Sequence, residues 1–134
     1  MSKGLLVAIF IAPFLILTSI GWAQASQSLQ SRVPKPDPAK YDDVQNAKDW
    51  KNPYLIVRRD GVEIVGRTPI TQVESIPGVL KGLPDSAWPY GLVVAVQDIG
   101  VESKEDRPSV KANRVRLLAL LKELGISVYG WPSA

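Results

Sequence analysis

The sequence predicts an α/β domain of the α+β kind. It is a two-layer sandwich in which a four-stranded mixed sheet carries two helices, with the elements in the order ββαβαβ. Three observations predict it. Asp60-Gly61 stands between two β-rich runs and reads as a two-residue hairpin turn. Between Gly91 and Gly100, Leu92, Val93, Val94, Ala95 and Val96 follow one another without a polar break, the pattern of a strand buried on both faces. Further on, Val110, Val115, Leu117, Leu118, Leu120, Leu121 and Leu124 make a wide apolar stripe at helical spacing.

In chain order the hairpin comes first. With Asp60-Gly61 as its turn, Arg59 faces Val62, Arg58 faces Glu63, Val57 faces Ile64 and Ile56 faces Val65. Leu55, Val57, Val62 and Ile64 then share a core-facing side. An Arg58–Glu63 ion pair lies on the other, beside Ile56 and Val65. Residues 67–83 lead to the central strand. Within them Thr71-Gln72-Val73-Glu74 fits a capping box, and Val73, Ile76, Leu80 and Leu83 follow a helical period. Proline costs about 3 kcal/mol inside a helix, so this helix is kinked at Pro77 or starts afresh with Pro77 in its first turn. Pro84 and Trp88-Pro89-Tyr90 stiffen the approach to Gly91. Residues 101–108 form a charged loop, and Gly125 closes the long helix that follows. Ile126-Ser127-Val128-Tyr129 alternates as the last strand. Right-handed crossovers put both helices on one sheet face and leave the last two strands parallel.

Composition narrows the chemistry. The chain has 134 residues, 46% of them hydrophobic, which allows one small domain and an additional segment. A net charge of +3, with Arg58-Arg59 the one adjacent basic pair, argues against a nucleic-acid partner. With no cysteine there are no disulfides, thiol nucleophiles or cysteine metal sites. With no histidine there is no histidine-based triad or zinc motif. Catalysis would rest on Asp, Glu, Lys, Tyr or Ser alone. A non-enzymatic protein without metal or cofactor is therefore the expectation.

Residues 1–25 read as a secretory signal peptide. Lys3 gives the positive start, residues 5–20 the apolar stretch, and Ala23-Gln24-Ala25 the small-x-small cleavage site. Cleavage after Ala25 would place the mature protein in the periplasm or outside the cell, in contact with the membrane only in transit. An uncleaved anchor is the alternative. Residues 26–52 read as a linker, because Val33-Pro34-Lys35-Pro36-Asp37-Pro38 favours an extended spacer. The domain is then residues 53–134.

Three stretches carry a resemblance: residues 54–64 (YLIVRRDGVEI), 93–98 (VVAVQD) and 117–126 (LLALLKELGI). With the export signal and the proline spacer, they resemble the periplasmic domain of the ExbD/TolR family, partners of proton-driven inner-membrane motors. The resemblance implies a small ββαβαβ-type domain that meets a protein partner. It does not extend to proton coupling, because residues 5–20 hold no ionisable side chain of the kind a proton relay needs. The loop from Asp98 to Val110 is also longer than the family pattern.

Two groups of residues are candidate binding sites. Asp98, at the carboxyl end of the central strand, could join Glu102, Glu105, Asp106, Arg107 and Asn113 in a polar site. Trp88, Tyr90 and Trp131, each beside a proline or a strand end, could form stacking platforms, with Trp50 and Tyr129 near them. The central strand is apolar on both faces, yet two helices shield one. The other face calls for the N-terminal segment, the tryptophans or a second chain, and a homodimer or docked protein partner is the expectation. The favoured function is an exported cell-envelope interaction module. A carbohydrate- or peptidoglycan-binding domain is the alternative, and a carboxylate-based hydrolase comes third.

Overall fold

A computed structural model describes residues 29–98 and 103–130. The signal-like residues 1–25 and their cleavage site, Glu102 and Trp131 lie outside them. Five strands form one mixed sheet: β1 (Tyr54–Arg58), β2 (Gly61–Ile64), β3 (Thr68–Thr71), β4 (Val93–Asp98) and β5 (Ser127–Gly130), in the spatial order β3-β2-β1-β4-β5. The β1–β2 and β2–β3 pairs are antiparallel, and β1–β4 and β4–β5 are parallel. Helices α1 (Ile76–Lys81) and α2 (Arg107–Glu123) lead into and out of β4, and residues 29–32 are also helical.

The mixed α/β class is as expected, but the sheet has five strands, not four, and residues 29–32 add a third helical piece. The extra strand is β3. It sits at a sheet edge, its side chains are half-buried or exposed, and its pairing with β2 is irregular between Val62 and Ile64. Pro69 falls in that irregular stretch, where a missing N–H costs least. An edge strand with a proline lacks both the alternation and the β-rich run by which a strand is recognised.

The hairpin turn is displaced by one residue. Arg58 pairs with Gly61, Val57 with Val62, Ile56 with Glu63 and Leu55 with Ile64, so the turn residues are Arg59 and Asp60. Gly61 instead opens β2 at φ +151°, where a Cβ would collide with the Thr71 carbonyl of β3. Glycine serves the β2–β3 approach here. The change moves each pairing by two residues, so both faces stay as expected. The Arg58–Glu63 pair forms diagonally, at 2.7 Å.

One face packs on the helices. Leu55, Val57, Val62, Ile64, Val94 and Val96 meet Ile76 and Leu80 of α1 and Val110, Leu117, Leu120 and Leu121 of α2. Thr71, expected to cap α1, belongs to β3, and a 3-10 turn at Val73–Ser75 precedes the helix. Pro77 does sit in the first turn of α1, where its missing N–H has no helical partner to lose. α2 ends in a Schellman motif: Gly125, at φ +73°, donates to Lys122 O, and Ile126 donates to Leu121 O. Val115, expected on the apolar stripe, is 61% exposed and faces away from the sheet.

Candidate functional site

The expected site residues do not converge. Trp88 is 3% exposed and packs in the core on the helical side, with no partner for its Nε1 among the described residues. Tyr90 is buried in a separate cluster, its hydroxyl accepting from the Lys51 N–H and donating to Asp49 O. Neither ring offers a free face for a sugar. Asp98 pairs with Arg114 at 3.1 Å, and Asp106 with Arg59 at 3.3 Å. Asn113 donates to the carbonyls of Arg58 and Arg59, at 2.9 and 3.0 Å. Asp106 and Asn113 staple the hairpin turn to the start of α2 and its second turn, and Asp98 ties the end of β4 to α2. Arg107 and Glu105 are exposed, and no three potential metal ligands meet among the described residues.

The second face of the central strand is covered by the stretch read as a spacer. Tyr41, Trp50 and Tyr90 are buried against Val93 and Ala95, with Val44, Tyr54 and Tyr129 packed around them. The rings settle on one another. Trp50 lies 4.9 Å from Tyr90 and stacks at 5.1 Å on Tyr129, while Tyr41 meets Trp50 edge-on at 5.4 Å. Such pairs contribute about 0.5–1.5 kcal/mol each beyond burial. The uncovered face that motivated a dimer or docked partner is thus filled, over this part of the sheet, by the chain's own residues.

Asn52 holds the cover in register. Its Nδ2 donates to Gly91 O at 2.8 Å and Val93 O at 2.7 Å, and its Oδ1 accepts from the Tyr90 N–H at 2.8 Å. At 5% exposure it is the buried polar residue of the described core. Backbone bonds extend the attachment: Leu92 N–H to Pro34 O at 2.9 Å and Asp37 N–H to Tyr90 O at 3.0 Å. Gly91, at φ +89°, is required because a Cβ would strike the Lys35 carbonyl.

The cover stops short of β2, and a cleft of about 700 Å³ remains. Trp50, Tyr54, Ile56 and Val65 give it an apolar interior, and Val65 is 45% exposed. Tyr54 and Val65 are neighbours across β1 and the end of β2, joined by Val65 N–H to Tyr54 O at 2.9 Å. Lys48 and Lys51 rise on the cover side and Arg67 on the turn after β2. Among the described residues, no carboxylate lines the cleft and none of the three cations forms an ion pair. Burial raises the Tyr54 hydroxyl above its ordinary 10.0, so it is a neutral hydrogen-bonding group at neutral pH; it contacts Gln97 Oε1. The cleft can bind, and among its described lining residues there is no carboxylate pair. Its cations lie on segments read as spacer and turn, so no sequence pattern marked them.

No protein-family model matches the chain, and neither a curated protein nor a solved structure matches it. No helix among the described residues is long and apolar enough to cross a membrane.

Proposed function

We propose that this chain is an exported, non-enzymatic interaction module of the cell envelope whose partner docks in the cationic cleft. The observation that carries the reading is the cleft's lining: the exposed Val65 and the half-buried Ile56 between three cations, with no carboxylate among the described lining residues. Apolar area left in water forgoes roughly 25 cal/mol per Å², and like charges around one recess repel. A partner that covers the floor and neutralises the rim relieves both. Export rests on residues 1–25, and an ExbD/TolR-type role on the three stretches quoted above. Glycan binding is the less favoured reading, because it needs free ring faces and Trp88 and Tyr90 are buried.

A photo-reactive amino acid in place of Val65, introduced in producing cells, tests the reading. It should yield an adduct that the same group in place of Glu123, on the opposite side of the sheet, does not. No adduct at position 65, or the same adduct at both positions, contradicts it.

A further inference from the structure

We infer that the occupant of the cleft is an acidic polypeptide segment with an apolar side chain between its carboxylates. The inference rests on the docking reading above and names the chemistry of the partner. Charge decides the first half. Lys48 and Lys51 stand on one wall and Arg67 on the other, all three exposed and without a carboxylate partner among the described residues. An occupant that crosses the cleft meets positive charge on both sides, so two or more separated carboxylates match it better than one compact anion. Arg67 presents a planar fork suited to a carboxylate, and the two lysines act as point charges.

The floor decides the second half. Ile56 and Val65 offer apolar surface between the charged walls, which a free phosphate or sulfate leaves wet. A glycan would need a free aromatic face, and of the two rings that line the cleft Trp50 is committed to Tyr41, Tyr90 and Tyr129, while Tyr54 is half-buried against the same cluster. A membrane surface is flat and meets convex patches, whereas these cations stand around a recess. An extended peptide satisfies all three conditions. Its carboxylates reach the walls while an intervening leucine or valine reaches the floor.

The test uses an acetylated, amidated peptide of alternating Glu and Leu, titrated into the purified protein and followed through its amide resonances. Binding should shift Ile56, Val65 and Arg67. It should weaken by about tenfold or more when Lys48, Lys51 and Arg67 are all replaced by Glu, and fall steeply with added salt. The three side chains are exposed, so unchanged resonances elsewhere will show that the variant folds. Equal binding by polyglutamate would overturn the apolar half, and equal binding by a Lys-Leu peptide the charged half. No binding by the peptide, or shifts at the same amides with muropeptides or anionic vesicles instead, would overturn the inference. A position-65 adduct in cells together with a silent peptide would leave the docking reading standing and the peptide inference refuted.

Discussion

Asn52 satisfies three backbone groups of residues 90–93 with one side chain, and its position between Lys51 and Pro53 gives no sign of it. In sequence it reads as a turn residue. Replacing it by alanine leaves the Tyr90 N–H and the Val93 carbonyl without this partner in a dry place, at about 1–3 kcal/mol for each unsatisfied group. We expect Asn52→Ala to destabilise the fold by about 2–4 kcal/mol in urea unfolding; a loss below about 0.5 kcal/mol would show that the clamp is idle. Gly61 makes the same point for the backbone. It reads as the second turn residue, yet it is the first residue of β2, held against Thr71. Gly61→Ala should cost about 1 kcal/mol or more, through strained φ and a forced shift of β3, and unfolding again measures it.

Among the elements, those with a strong period were legible and those without were not. The faces of β1 and β2, the double burial of β4 and the end of α2 at Gly125 all follow from apolar spacing and one glycine. β3 was hidden because an edge strand needs no apolar alternation and tolerates Pro69. Register slipped because Asp60-Gly61 signals a turn while carrying no information about a third strand. The brace between α2 and the 3-10 turn that precedes α1 was equally invisible, since it joins distant residues. Arg116 holds Glu74 through two bonds, at 2.7 and 2.9 Å, and its hydrogen bond keeps the Glu74 carboxyl below the ordinary 4.5. A carboxyl lowered on folding adds stability above its unfolded value, and that stability is lost as pH falls through the folded value. The gap in melting temperature between the protein and Glu74→Gln should therefore be present at neutral pH and close below 4.5. A gap that persists in strong acid contradicts the brace. Both side chains are solvent-exposed, so the gap will be small.

At the scale of the whole molecule, the segment that reads as a proline-rich spacer is part of the fold. Its prolines do extend the chain, but they carry Tyr41 and Trp50 to a sheet face that would otherwise meet water. Composition describes a segment's stiffness and says nothing of where its two aromatic residues land, so the N-terminal segment is one of three covers the sequence allows and the cleft beside it carries no signal. Deleting residues 29–50 should expose Val93, Ala95 and Tyr129, and light scattering should then show association where the intact protein shows less. This segment folds onto the sheet and builds one wall of the cleft. Hydrogen exchange at the amides of Asp37, Tyr90 and Leu92, which donate to Tyr90 O, Asn52 Oδ1 and Pro34 O, tests it most directly. All three should be protected, and Asn52→Ala should weaken them together. Exchange of all three at the rate of an unfolded chain, with the amides of β1 and β4 still protected, would contradict it.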